Sequence, residues 1–324
     1  MCIILAGFRC LSAGPRRNRS GMVRFVLAIL MSAAVAVGCT KASDPSPPNM
    51  PPPGKPLLIG LVPEQNIFHQ LERYEPLAEY LGRKIGVRIE LQVLPFYGNL
   101  IDNFESLGLD GAFFGSFSYA LAHAKLGLEV LARPEDSTGE STYHGVILVR
   151  RDSGIRTVRD MKGKRLAFVA RATAAGYLFP LIYLHGNGVS RPETYFREVY
   201  FTGTHEDMVW DVLNGKTDVG SCKNTVMDRL ASADPRVARE ILVLDRSSPF
   251  PENGLALKKG IEASLKEKIK TTLISMEEDP EGRNVLERFG ARRFIETTDG
   301  DYETVLKYAR RINLDLSTYQ YSNK

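Results

Sequence analysis

Residues 57–324 predict an α/β fold, two blocks of strands and helices arranged around a cleft. Three observations carry that prediction. Short apolar runs alternate with stretches of helical period. The alternation passes through one cycle and begins a second, similar one after Asp152. The chain then returns through another apolar run and ends in charged amphipathic segments. Two α/β blocks joined twice leave a cleft between them, where small ligands usually bind.

The first block opens with an apolar run at 57–62, read as a buried strand. Residues 71–82 have helical period, with Pro76 placed in the first turn, where a missing N–H is tolerated. Ile89, Leu91 and Val93 alternate with Arg88, Glu90 and Gln92, the period of a half-exposed strand. A helix at 99–107, a strand at 111–114, a helix at 116–126 capped by Ser116 and a strand at 130–132 follow. The continuous apolar run 145–150 suits an inter-lobe strand. In the second block, 158–161 reads as a helical turn, 165–170 as a strand, 175–185 as an apolar helix, 198–201 as a strand and 205–214 as a helix. Strands at 218–220 and 241–244 complete it; 254–257 returns to the first block, and helices near 261–276, 280–289 and 300–313 end the chain.

Ahead of this body the sequence reads as an address. Arg24 gives a basic start, 25–37 is apolar apart from Ser32, and Gly38-Cys39 closes the run. That is the layout of a secretory signal, and the run is shorter than the roughly 20 residues of a spanning helix. Ala36-Val37-Gly38-Cys39 resembles a lipobox, whose cysteine carries a lipid. Residues 1–39 are therefore expected to be a signal with Cys39 lipidated, and Met22 offers an alternative start. Residues 40–56 hold seven prolines, Pro45, Pro47, Pro48, Pro51, Pro52, Pro53 and Pro56, and read as an extended spacer. The body beyond is expected as lobe I over 57–150, lobe II over 151–246, and a return to lobe I with C-terminal helices over 247–324.

The formal charge of +4 includes the basic signal region, so the body gives no basic face for nucleic acid. Cys222 is the one cysteine of the body and can form no internal disulfide. Histidines 69, 123, 144, 185 and 205 never fall at a metal-ligand spacing, and neither a metal nor a cofactor is expected. No nucleophile elbow, phosphate loop or dinucleotide fingerprint appears, which argues against an enzyme.

Several stretches could hold a small anion. Thr173-Ala174-Ala175-Gly176 lies between a strand and an apolar helix, with Thr173 as cap and small residues leaving backbone N–H groups open. An ordinary packed helix start has the same residues. Thr204-His205-Glu206-Asp207 repeats the arrangement with a capping-box pattern. His205 would sit beside free amides as a neutral donor, since a helix start disfavours a cation; a surface histidine fits the pattern as well. Tyr97 in an aromatic loop at 95–98, the turn Phe114-Gly115-Ser116, and Tyr143 beside His144 place rings and hydroxyls at strand ends. Lys223-Asn224-Thr225 could bring a positive charge to the cleft.

A series of motifs then meets a known family. Gly60-Leu-Val-Pro-Glu-Gln65, Tyr74-Glu-Pro-Leu-Ala78, Asp110-Gly-Ala-Phe-Phe-Gly115 and Tyr143-His-Gly145 resemble the phosphate/phosphite/phosphonate-binding proteins of ABC transporters. So do Val149-Arg-Arg-Asp-Ser-Gly154, Lys162-Gly-Lys164, Ala175-Gly-Tyr-Leu-Phe-Pro180, Gly203-Thr-His-Glu206 and Asp245-Arg-Ser-Ser-Pro249, the whole resemblance running over about 57–290. It implies a type II periplasmic-binding-protein fold, two α/β lobes closing on a hinge of two crossovers. The function implied is a lipid-anchored, monomeric, periplasmic solute-binding protein that delivers a phosphorus oxyanion to an inner-membrane ABC permease. A ligand sensor of the same fold, feeding a membrane signalling protein, is the alternative. The site implied comprises Tyr97, Phe114, Gly115, Ser116, Tyr143, Thr173, Ala174, Ala175, Gly176, His205, Lys223, Asn224, Thr225 and Asn253.

This chain departs from the family pattern in three places. The family often has Ser-Thr-Ser-Gly where Thr173-Ala174-Ala175-Gly176 stands. Phe114 replaces a tyrosine common in aminophosphonate binders. Thr225 and Asn253 fall where those members place carboxylates for the ligand's ammonium, with Glu252 adjacent. The resemblance therefore implies phosphate, phosphite or a small phosphonate, and disfavours an ammonium-bearing one.

Overall fold

A computed structural model describes residues 54–94 and 97–321. The expected signal, Cys39, nearly all of the spacer, and Pro95 and Phe96 of the aromatic loop lie outside the described residues. In chain order the elements are β1 (Leu57–Leu61), α1 (Ile67–Ile85), β2 (Ile89–Val93), α2 (Tyr97–Asp102), β3 (Gly111–Phe114), α3 (Ser116–Leu126), β4 (Glu129–Glu135), β5 (Thr142–Tyr143) and β6 (Gly145–Arg150). Then come β7 (Arg165–Phe168), α4 (Phe179–Gly186), α5 (Pro192–Tyr195), β8 (Glu198–Phe201), α6 (His205–Leu213), β9 (Val219–Lys223), α7 (Asn224–Ala233), α8 (Pro235–Glu240) and β10 (Ile241–Arg246). The chain closes with β11 (Phe250–Pro251), β12 (Gly254–Leu257), α9 (Ala263–Ile274), α10 (Pro280–Phe289), β13 (Arg293–Glu296) and α11 (Glu303–Arg311).

The strands form two main sheets. Sheet I runs β13-β4-β12-β3-β1-β2, with β1 parallel to β2 and β3, and β12 antiparallel to both β3 and β4. Sheet II runs β10-β6-β9-β7-β8, with β7 parallel to β8 and β9. The chain leaves sheet I through β5 and returns through β11, and these two crossovers pair antiparallel, Phe250 with Tyr143 and Pro251 with Thr142. The hinge is fastened further by the Gly145 N–H to Ser247 Oγ (2.8 Å) and the Glu252 N–H to Ser141 O (2.9 Å). β12 enters the middle of sheet I between β3 and β4. Its apolar Leu255 and Leu257 face a core with Leu57, Ile59, Leu61, Phe113 and Leu273.

Element types follow the alternation, and the differences have local causes. α1 starts at Ile67 because Asn66 caps it, its Oδ1 accepting the Phe68 N–H at 2.9 Å. Pro76 therefore lies inside the helix rather than in its first turn. The second helix is Tyr97–Asp102, which leaves 103–108 as turns rather than the expected helix to 107. α3 is capped by Gly115, and Ser116 turns its hydroxyl to the Pro251 carbonyl at 2.7 Å. α7 and α8 were not expected: α7 buries only Val226 and Leu230, too sparse a stripe to read without its neighbours. β13 and the two-residue β5 and β11 are likewise defined by their partners rather than by period. Among the described residues no helix is long and apolar enough to cross a membrane.

Candidate functional site

A narrow pocket, with about 10 Å³ of free volume, lies where the two sheets face each other across the hinge. Its floor comes from the turn after β7. Residues Ala174–Leu178 form one π-helical turn, with Leu178 N–H bonded to Thr173 O (3.1 Å) and Phe179 N–H to Ala174 O. In such a turn the first bond is made five residues on, so the amides of Ala174, Ala175, Gly176 and Tyr177 have no carbonyl within the turn to receive them. The turn fits because two positions lack a side chain. A Cβ on Gly176 would lie 2.4 Å from Val169 Cβ, and one on Gly145 would lie 2.6 Å from Phe179 Cδ1.

Opposite this floor stand Tyr97, the first residue of α2, and Asn253, just before β12. Both are buried, and the Tyr97 hydroxyl and the Asn253 Nδ2 have no hydrogen-bond partner among the described residues. Burial, then the Glu64 carboxylate, hold the Tyr97 pKa well above its ordinary value, so it remains an O–H donor. Asn253 is oriented by Lys223: the ammonium can only donate, so the amide oxygen faces it at 3.2 Å and Nδ2 is left over. Orphaned buried donors cost stability, and here two converge on one small space.

His205 completes the donor set. It is buried at the start of α6, and its Nδ1 accepts the Lys223 backbone N–H at 3.3 Å. Burial, with the Lys223 and Arg229 charges, pushes its pKa down to about 3 against the opposing pull of Glu64. The ring is neutral with its proton on Nε2. Tyr97 meets it edge-on, with ring centroids 6.2 Å apart.

Glu64, in the loop after β1, is a pocket residue the sequence does not single out. Its carbonyl receives the His205 and Glu206 N–H groups at 3.1 and 3.4 Å, and its carboxylate receives Lys223 Nζ at 2.9 Å. Asn66 N–H also reaches Glu206 Oε2 at 3.0 Å, so this loop of the sheet I side is docked onto the start of α6. The only sequence signal for it is an acidic residue closely following an apolar strand inside the first family motif.

Several expected roles come out differently. Lys223 brings no spare charge to the pocket. Its side chain is 4% exposed, and its three N–H donors are taken by Glu64 (2.9 Å), Glu252 (2.7 Å) and Asn253 (3.2 Å). Burial opposes its charge, but Glu252 and Glu64 outweigh that and hold its pKa above the usual lysine value. Thr173 does not cap through its hydroxyl, which donates to Ala170 O at 2.6 Å. The amides beside His205 are not free, since Glu64 O takes those of 205 and 206 and Thr204 Oγ1 takes that of Asp207 at 2.9 Å. Ser116 gives its proton to Pro251 O, so the Tyr143 hydroxyl donates to Ser116 Oγ at 2.9 Å. Phe114 is fully buried in the core and is not a wall of the pocket. Asn224 accepts the His144 N–H at 2.7 Å and Thr225 donates to Glu252 at 3.3 Å, both beside the pocket rather than in it. Gly115, Tyr143, Thr173 and Ala174 do line it. Ala175 gives its carbonyl to Ser221 Oγ at 2.6 Å. Cys222 is fully buried, and burial pushes its thiol pKa up, away from any nucleophilic state.

The site thus offers donors without acceptors of matching number, the chemistry of an oxyanion receptor. Residues 59–302 match the family described as ABC transporter, phosphonate, periplasmic substrate-binding protein. The chain is 25% identical over 250 residues to the phosphonates-binding periplasmic protein of Escherichia coli, covering 76% of this chain and 73% of that protein. It is 20% identical over 270 residues to a probable ABC transporter phosphite binding protein of Prochlorococcus marinus, covering 80% and 90%. Among solved structures, a binding protein component of an ABC phosphonate transporter from Pseudomonas aeruginosa superposes with a TM-score of 0.73 at 20% identity, covering 79% of this chain and 86% of that one. A Prochlorococcus marinus protein in complex with methylphosphonate gives 0.72 at 19% identity, covering 80% and 98%. Those two likenesses show the fold, the two-lobed type II periplasmic-binding-protein architecture.

Proposed function

Because the chain belongs to the phosphonate-type periplasmic substrate-binding proteins of ABC transporters, we propose that its small pocket binds a phosphorus oxyanion, namely phosphate, phosphite or a small phosphonate. Membership makes it a periplasmic solute-binding protein that works with an ABC permease, and not an enzyme. The observation that carries the ligand class is the pair of orphaned buried groups, Tyr97 Oη and Asn253 Nδ2, sharing one pocket with His205 and Ala174, the first residue of the open-amide turn. Each is suited to an oxygen bearing negative charge, and hydrogen bonds to charged groups are the stronger kind. The names of the relatives in Escherichia coli and Prochlorococcus marinus support the same class.

The Ala174 amide and His205 of the sheet II side already face Tyr97 and Asn253 of the sheet I side, so ligand entry and exit would need the lobes to part on the β5/β11 ribbon as hinge. Lipidation of Cys39 and a monomeric state complete the proposal. Isothermal titration of the purified protein with phosphate, phosphite, methylphosphonate, aminoethylphosphonate and sulfate tests it. Saturable binding of at least one phosphorus oxyanion in preference to sulfate is expected. Heat with none of them, or with sulfate alone, would overturn the ligand class.

A further inference from the structure

Past Glu64, Lys223 and Asn253 the small pocket opens into a wider vestibule of about 510 Å³. Three arginines stand around it, Arg73 on α1 and Arg288 on α10 from the sheet I side and Arg229 on α7 from the sheet II side. None has a carboxylate within ion-pair distance among the described residues, although Glu64, Glu206 and Glu252 attract Arg229 from further off. Arg73 donates Nε to the Phe289 carbonyl at 2.9 Å and lies over that ring at 5.2 Å, with no carboxylate partner. The side chains of Arg229 and Arg288 make no hydrogen bond or ion pair among the described residues. Five carboxylates share the lining, Glu64, Asp136, Glu140, Asp228 and Glu252, and none is in ion-pair contact with these arginines. Glu64 and Glu252 hold Lys223, Asp136 accepts the N–H groups of Thr138 and Glu140 at 2.8 and 3.0 Å, Glu140 accepts Thr142 Oγ1 at 3.4 Å, and Asp228 accepts Asn224 Nδ2 at 3.3 Å.

Arg73 and Arg229 come from opposite sides of the cleft and repel. The protein crowded around Arg229, and then the Arg73 charge, hold its pKa below the usual guanidinium value. Bringing two like charges together as the lobes close costs free energy unless an anion lies between them. A guanidinium is also suited to grip a carboxylate or phosphoryl group through paired N–H donors.

We propose that the vestibule receives a second anionic group of the ligand, so that the preferred solute is a phosphorus oxyanion carrying a carboxylate or similar anion on a short chain. This rests on the oxyanion reading of the inner pocket. The inner pocket would take the phosphorus end, and Arg73 and Arg229 would clamp the far end from both sides.

Titration calorimetry on the full protein with methylphosphonate, phosphonoacetate, 3-phosphonopropionate and aminoethylphosphonate tests it. At least one of the two phosphonocarboxylates should bind about tenfold or more tightly than methylphosphonate. Arg229→Gln and Arg73→Gln, each checked for an unchanged melting curve, should bring that ratio back toward one. A ratio near one in the unsubstituted protein, a ratio unmoved by both substitutions, or tightest binding of aminoethylphosphonate would overturn the clamp while leaving the inner pocket standing. Failure of all four ligands, with phosphite and phosphate also inert, would take both readings down together.

Discussion

The backbone N–H of Lys223 points at His205 Nδ1 at 3.3 Å, and this one bond sets the chemistry of the ring. An amide can only donate, so Nδ1 carries the lone pair and Nε2 carries the proton. The strand β9 and the helix α6 thereby fix a neutral N–H donor in the pocket. Lys223 in turn directs its side chain the other way, to Glu64 and Glu252. One residue positions a donor with its main chain and bridges two carboxylates with its side chain.

His205 should therefore stay neutral through the whole physiological range. Its folded pKa of about 3 lies below its ordinary value of 6.5, so unfolding takes up a proton between those limits. The contribution of this ring to stability is fully present above pH 6.5 and is lost as the pH falls toward 3, at about 1.4 kcal/mol per pH unit for one proton. Nitrogen-detected NMR of the folded protein should show a protonated Nε2 that does not titrate above pH 4. Urea titrations at pH 7 and 5 should show a smaller loss in His205→Gln than in the unsubstituted protein. A histidine signal from this ring titrating near 6.5 would remove the argument.

Tyr97→Phe and Asn253→Leu should separate binding from stability. Each removes a buried polar group that has no partner in the unliganded protein. Relief of that unsatisfied group should leave the ligand-free protein as stable or more stable by about 1 kcal/mol for Tyr97→Phe, while affinity for the phosphorus oxyanion falls about ten- to a hundredfold. Asn253→Leu loses its bond to Lys223 as well, so its gain should be smaller. Melting curves and calorimetry on the same samples decide it. Unchanged affinity in both variants would show that these groups do not face the ligand.

Lys223 holds the polar centre of the cleft together rather than the ligand. Glu64 is mostly but not fully covered, and that desolvation would raise its pKa, but Lys223 and His205 hold it below the ordinary carboxylate value. Removing the ammonium strands that carboxylate, so Lys223→Met should cost about 3–5 kcal/mol of unfolding free energy. Adding Glu64→Gln should recover part of the loss, because the second change removes the charge left alone. Chemical denaturation of the two variants measures the coupling. A double variant less stable than Lys223→Met would show that the ion pair is not the source of the cost.

The order of strands and helices was legible because period is local. The apolar runs at 57–61, 111–114 and 254–257 and the helix starts at 174 and 205 are visible in single segments. What those residues do with their polar atoms was not. Thr173 has the composition of a cap, yet its hydroxyl goes back to Ala170 because the turn that follows is π-helical and its geometry differs. Lys223 looked available until three acceptors arrived from β1, β11 and β12 sides of the hinge, all distant in sequence. Phe114 ends its strand facing the core, since the antiparallel partner Gly254 and the following Gly115 set which side of β3 meets the cleft. Glu64 stayed hidden for the same reason: its partners on the sheet II side lie about 140 to 160 residues away, and no spacing encodes them.

Cys39→Ser should release the protein from the membrane fraction without changing ligand affinity. A lipid chain contributes about 0.8 kcal/mol per buried CH₂, and the proline-rich spacer offers no other anchor. Fractionation at high salt, followed by titration of the released protein, checks both halves. Retention in the membrane fraction would rule out Cys39 as the lipid site.

The π-helical turn should depend on Gly176. A methyl there would meet Val169 Cβ at 2.4 Å and Thr173 Oγ1 at 2.8 Å, one a β-branched core side chain and the other already bonded to Ala170. Neither can give way without moving the turn, so Gly176→Ala should cost about 1–3 kcal/mol of stability. It should also move the open amides of 174–176 away from the pocket and lower affinity by about tenfold or more. Gly186→Ala is the matched comparison. It lies at the end of the same helix with nothing within 4 Å of the added carbon, and it should leave affinity unchanged and stability equal or slightly higher. Denaturation and calorimetry on the pair separate a local repacking cost from loss of the amide floor. If Gly176→Ala loses stability yet binds as tightly as Gly186→Ala, the amides after Thr173 take no part in holding the ligand.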